Sequence, residues 1–103
     1  MKVFCYDKTD LIAAETIEAA AEFYTVNFGE IQESDLEEWD VDLYMWYGFN
    51  WDNPDISSLI SNGNRTFKIK KNPRGDFKFA IDLTFEEVIL IDEITEPRLI
   101  SST

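Results

Sequence analysis

Histidine is absent from this 103-residue sequence, and cysteine occurs once, at Cys5. Structural and catalytic zinc sites draw on Cys and His at fixed spacings, so one Cys with no His excludes the usual ones. A lone cysteine closes no intramolecular disulfide, and with no histidine to serve as its base it is a poor nucleophile. Its place in an alternating apolar segment predicts a buried, inert thiol. Also missing are G-x-G-x-x-G, Walker-type and G-x-S-x-G segments, hence the phosphate cradles and the nucleophile elbow. Neither Asp40-Val41-Asp42 nor Asp52-Asn53-Pro54-Asp55 continues into the spacing, central glycine and terminal glutamate of an EF-hand loop. No metal and no cofactor is expected, and the chain reads as a non-enzyme.

Long apolar runs are lacking too. None approaches the ~20 residues that cross a bilayer, and the N-terminus has no basic, apolar and small-residue segments of a signal peptide. The expectation is a soluble, cytoplasmic protein with no membrane partner, in which the sequon-like Asn64-Arg65-Thr66 is simply a turn.

Bases are scarce. Nine Lys and Arg stand against twenty-one Asp and Glu, for a net charge of −12. Such a chain repels nucleic-acid phosphates and anionic membranes and favours basic partners. The expected partner is a protein with a basic surface, one that itself holds nucleic acid, with no direct nucleic-acid binding by this chain. Apolar residues are plentiful: 45% of the chain is hydrophobic and 15% aromatic, enough for one domain spanning 1–103 to fold without staples.

Lys2 to Tyr6 and Leu11 to Ala14 read as two strands joined by the polar turn Asp7-Lys8-Thr9-Asp10. From Thr16 the period changes. Ile17, Ala20, Ala21, Tyr24 and Phe28 follow a helical stripe, with Thr16 as cap and Gly29 as stop. Ser34 followed by Glu37 fits a capping box and predicts a short helical turn. Val41 to Tyr47 reads as a strand whose continuous apolar residues suit burial on both faces, with Gly48 to Pro54 as turn formers. Ile56, Leu59 and Ile60 predict a short helix ending at Asn62-Gly63-Asn64. Thr66 to Lys70 and Phe77 to Asp82 alternate around the Pro- and Gly-bearing Lys71 to Asp76 and predict a second hairpin, with Phe67 and Ile69 on one face. Thr84 starts another helical turn, and Arg98 to Ser101 forms a last strand. The pattern predicts an α+β domain with a small, mainly antiparallel sheet, one clear amphipathic helix and one or two short ones.

Charge is strongly segregated. Thr9 to Asn64 holds thirteen acids and no base, whereas Arg65 to Lys78 holds six bases and one acid, Asp76. Three readings follow. The basic hairpin neutralises the acidic segment across neighbouring strands; or the acids form an exposed face that imitates phosphate charge; or the basic hairpin itself grips phosphate, against a negative surrounding field. Aromatics cluster beside the acids, from Trp39 through Tyr44, Trp46, Tyr47 and Phe49 to Trp51, and interfaces favour such anchors within a polar rim. The candidate partner-binding residues are Glu30, Glu33, Glu37, Glu38, Asp40 and Asp42 for charge, with Trp39 or Trp51 as anchor.

The opening Lys2-Val3-Phe4-Cys5-Tyr6-Asp7, then Ile12 to Ala20, Met45-Trp46-Tyr47, Thr84 to Val88 and Glu96 to Thr103, taken in order, resemble a group of small acidic proteins carried by bacteriophages and prophages. These segments cover under half the chain, and the group has no catalytic residues to carry over. The resemblance implies an accessory protein acting inside a bacterial host cell. By analogy with small acidic inhibitors, that means an anti-CRISPR or anti-restriction protein that evades host defence, in some cases as a DNA mimic. The alternative is a non-enzymatic phage assembly module, homo-oligomeric through its aromatics.

Overall fold

The computed structural model describes residues 1–63, 65–72 and 75–101. Asn64 of the turn and sequon, and Pro73 and Arg74 of the second hairpin's connection, lie outside the described residues. The fold is α+β, and its strands divide into two antiparallel sheets where the pattern led one to expect a single sheet.

The first sheet has the order β3 (Leu36–Trp39), β1 (Lys2–Tyr6), β2 (Asp10–Ala14), β7 (Arg98–Ser101). β1 and β2 form the expected hairpin in the register Phe4 opposite Ile12. Asp7 and Lys8 at its tip both take left-handed backbone angles, φ 52° and 60°, the pattern of the tight turns whose twist matches that of the flanking strands. Helix α1 (Ile17–Asn27) covers one face. Thr16 Oγ1 accepts the Ala19 N–H at 3.1 Å to cap its start, and Phe28, just before Gly29, closes its end through an N–H to the Tyr24 carbonyl. Ala20 and Ala21 bring the helix close to the sheet over Phe4, Ile12, Ala14 and Leu36.

The second sheet has the order β4 (Tyr44–Phe49), β6 (Phe79–Thr84), β5 (Ile69–Lys71). Its inner face packs Phe49, Ile81 and Leu83 against Ile56 of α2 (Pro54–Asn62) and Val88 of α3 (Phe85–Ile91). Asn53 caps α2, its side-chain oxygen accepting from Asp55 and Ile56. Thr84 and Glu87 cap α3 reciprocally.

Helix α3 joins the two halves. Val88 belongs to the core under the second sheet, while Phe85, three residues earlier, packs with Val3, Cys5 and Leu11 on the far face of the first. Burial of Val- or Phe-sized side chains stabilises by roughly 1.5–3 kcal/mol each, so this short helix contributes to both cores.

Three local expectations are corrected. The turn at Glu33–Asp35 is a 3-10 turn entered from Gln32, whose N–H donates to the Asp35 carboxylate at 2.8 Å; the predicted Ser34 and Glu37 box does not form, because Glu37 is drawn into β3 by pairing opposite Cys5. The predicted strand at Val41 to Tyr47 begins instead at Tyr44, and Asp40 to Leu43 turn, with the Leu43 N–H on the Asp40 carbonyl. Nor is that strand buried on both faces, since Tyr44 and Trp46 are exposed. Phe67 and Ile69 do share a face: Phe67 packs on the core under the second sheet, and Ile69 pairs opposite the core residue Ile81 but stays partly exposed on edge strand β5.

Candidate functional site

The acidic candidates follow one another in the chain before, along and after edge strand β3, with Glu37 and Glu38 on opposite faces of that strand. Glu30 lies after α1, Glu33 opens the 3-10 turn, Glu37 and Glu38 sit on edge strand β3, and Asp40 and Asp42 occupy the turn into β4. All six are exposed. Alternation on β3 explains how an edge this acidic holds its place. Leu36 is buried under α1, and Trp39 packs toward α3, its ring stacked on Phe85 at 6.3 Å. Two apolar contacts fix the strand while Glu37 and Glu38 stay solvated. The Asp42 N–H donates to the Asp40 carboxylate at 2.9 Å, which shapes the following turn.

Among the described residues only one of these six acids has an ion pair, Glu38 with Lys2 at 3.9 Å. Both partners are largely exposed, and such a pair contributes little. No described ion pair joins the basic segment to the acidic edge. Arg65 turns to Asp82 and Glu87, and Lys68, Lys70, Lys71 and Lys78 are exposed. Arg65 nonetheless lies over the Tyr44 ring, two residues from Asp42.

The two anchor candidates part company. Trp39 adjoins the acids but is half-buried on Phe85, so it serves as a wedge between β3 and α3. Trp51 is 52% exposed and rests edge-on against Phe49 and Phe79. It lies beyond the far end of β4, a strand about 17 Å long whose near end adjoins the acidic turn. Trp51 therefore does not join the acidic cluster.

A second surface escaped the sequence reading. On the outer face of β4, Tyr44 and Trp46 are 58% and 46% exposed. The next position on that face is Gly48, where a Cβ would stand 2.9 Å from the ring of Phe77, itself 48% exposed. Phe77 thus lies over the gap that glycine leaves, and three rings run along one strand. Cations accompany them: the Lys70 ammonium lies 4.2 Å from the Trp46 ring centroid, and the Arg65 guanidinium 5.2 Å from that of Tyr44. Beside them is a groove of about 600 Å³ lined by Tyr44, Trp46, Arg65, Thr66, Lys68 and the carboxylate-bearing Asp82. The available signal was the pattern Tyr44-x-Trp46-x-Gly48, because glycine inside a strand marks a close approach.

Little here favours acid–base chemistry. Cys5 is buried, and burial pushes its thiol upward. Burial also tends to raise Glu87, but hydrogen bonds from Arg65 and Thr84 outweigh it and hold the carboxyl below its usual range. Glu87 is thus a committed anion and a poor proton donor. Among the described residues no three Asp, Glu or Cys side chains are grouped so as to hold a metal ion, and no described helix is long and apolar enough to cross a membrane. No protein-family model, no curated protein and no solved structure matches this chain.

Proposed function

We propose that this chain is a non-catalytic inhibitor or modulator that lays its acidic edge on the basic groove of a nucleic-acid-binding protein. The observation that carries this reading is the run Glu30, Glu33, Glu37, Glu38, Asp40 and Asp42, all exposed, of which only Glu38 has an ion pair among the described residues. Carboxylates carried on an ordered backbone present negative charge without the ordering cost of a flexible tail, and they steer association with a basic surface. By analogy with small acidic phage inhibitors, the partner is a CRISPR or restriction nuclease of a bacterial host, with the contact imitating nucleic-acid phosphate.

The test is a cleavage assay with such a nuclease, its substrate and the purified protein at increasing salt. Inhibition is expected to be stoichiometric, to weaken as salt rises and to be relieved by excess substrate DNA. The triple variant Glu33→Lys, Glu37→Lys, Glu38→Lys is expected to abolish it while the circular dichroism spectrum and melting temperature hold. Inhibition that survives the triple reversal sinks the proposal.

A second reading, a phage assembly module that self-associates, is favoured by a different observation: Tyr44, Trp46 and Trp51 are all exposed. Sedimentation separates the two, since a stable oligomer that shields these rings supports assembly and a monomer supports the inhibitor.

A further inference from the structure

We infer that the outer face of the second sheet is a stacking platform for single-stranded nucleic acid. It lies on the other sheet from β3, and its first ring, Tyr44, stands two residues after Asp42 of the acidic edge. Successive residues on one face of a strand stand about 7 Å apart, so Tyr44 and Trp46, with the Phe77 ring over Gly48, form a row of three exposed rings. Base stacking on such rings tolerates any sequence, because every base has a π-face. Exposed Lys68 and Lys70 and half-buried Arg65 flank the row. Exposed rings beside cations suit an unstacked strand, whose bases take the Trp46 and Phe77 rings and whose phosphates take the lysines, while Arg65 keeps its place over Tyr44. A duplex hides its base faces and has no use for the row.

The net charge of −12 does not forbid this. Charge interactions in water decay over about 8 Å at physiological ionic strength, whereas the molecule is 40 Å along its longest axis. A strand at this face therefore responds mainly to the charges nearest it. There Asp82, on the outer face of β6, is already bonded to Arg65 and to the Lys68 N–H, and the exposed acids nearest in the chain to the rings, Asp42 and Asp76, are set against exposed Lys68, Lys70 and Lys78. Lys70 rests on the Trp46 ring in the free protein. A base that takes its place over the ring releases the ammonium toward the adjoining phosphate, so the contact exchanges one cation partner for another.

The experiment is titration of the purified protein with dT12 and with the matching duplex, followed by tryptophan fluorescence at 20–200 mM NaCl. Quenching by dT12 is expected, with log K falling against log salt at a slope of about −2 for two or three neutralised phosphates. Trp46→Ala is expected to weaken binding roughly 5- to 100-fold, the range for loss of one stacked base. Lys68→Glu with Lys70→Glu should abolish it, each variant's fold being checked by circular dichroism. Because Trp46→Ala removes a reporter, its affinity is read from the anisotropy of labelled dT12. Reversal of Glu33, Glu37 and Glu38 is expected to leave dT12 binding intact or tighter, which separates this inference from the inhibitor reading. Absence of binding at 20 mM NaCl would overturn the assignment. So would equal affinity for the duplex or for polyglutamate, or a stable dimer that buries Trp46 without any oligonucleotide.

Discussion

The guanidinium of Arg65 donates to the Glu87 carboxylate at 2.7 Å while lying 4.1 Å from the Phe67 ring centroid. It also donates to the Asp82 and Thr66 carbonyls. One side chain thereby ties the segment before β5 to strand β6 and to the first turn of α3. Its planar fork suits several acceptors at once, which an ammonium cannot reproduce.

Glu87→Ala is accordingly expected to destabilise the fold by about 2 kcal/mol, the scale for losing hydrogen bonds to a charged group and leaving a part-buried partner unmatched. Arg65→Lys should recover only part of the loss caused by Arg65→Ala. The acid limb follows from the lowered Glu87 carboxyl. Its stabilisation is complete above the ordinary glutamate value near pH ~4.3 and drains away as pH falls through the lower folded-state value. Urea unfolding between pH 2.5 and 7 should show that limb flattened in Glu87→Gln.

An alkaline limb is expected from the tyrosines. The Tyr24 hydroxyl donates to Asp10 at 2.7 Å, and that bond, with burial and nearby acids, pushes Tyr24 up to about 12. Tyr47 is pushed higher still, first by burial and then by its bond to Asp92. Because these folded-state values exceed the ordinary ~10, the stabilisation is fully present below pH ~10 and is lost as pH rises through the folded values. Phenolate absorbance should therefore show late-titrating groups, one of which disappears in Tyr24→Phe.

Two glycines should respond unequally to alanine. At Gly63 a Cβ would stand 2.6 Å from the Phe67 ring and 2.7 Å from the Leu59 carbonyl oxygen. The carbonyl belongs to the last turns of α2 and cannot swing aside, so Gly63→Ala is expected to cost about 1–3 kcal/mol. At Gly48 the obstacles are the Phe77 ring at 2.9 Å and its Cβ at 3.2 Å, all on one exposed side chain and none of them backbone. Gly48→Ala should cost less stability but displace Phe77 from the aromatic row and weaken dT12 binding. Urea midpoints and the oligonucleotide titration, measured on both variants, check the pair.

The tip of the first hairpin is a place to gain stability. Asp7 and Lys8 hold left-handed angles that ordinary side chains disfavour. Replacing them by Asn-Gly, the pair this turn prefers, should raise stability by about 1 kcal/mol, or several degrees in melting temperature for a chain of this size.

What the sequence revealed divides along the line between local and distant causes. The β1–β2 hairpin, α1 and the Thr84 and Glu87 cap are set by residues within a few positions of one another, and the pattern predicts them. Strand β3 is not: Leu36-Glu37-Glu38-Trp39 carries an acidic, helix-compatible pattern, and it becomes a strand because β1, thirty residues earlier, offers it hydrogen bonds. The exposure of the six acids agrees with their chemistry. The status of the tryptophans could not be read in the same way, since Trp39 depends on Phe85 and Trp51 on Phe79, both far along the chain. The outer aromatic row was hidden for a related reason. Phe77 joins Tyr44 and Trp46 only because β4 and β6 align Gly48 with Ala80, bringing the hairpin's aromatic over the glycine.

Helix α3 has seven residues, too few to persist alone in water, yet Phe85 and Val88 each complete a different core. A genetic screen that scores loss of either binding surface will therefore recover many of the same substitutions at these two positions. Such hits identify the keystone of the architecture and not a contact with any partner. Only substitutions that silence one surface and spare the other carry information about recognition.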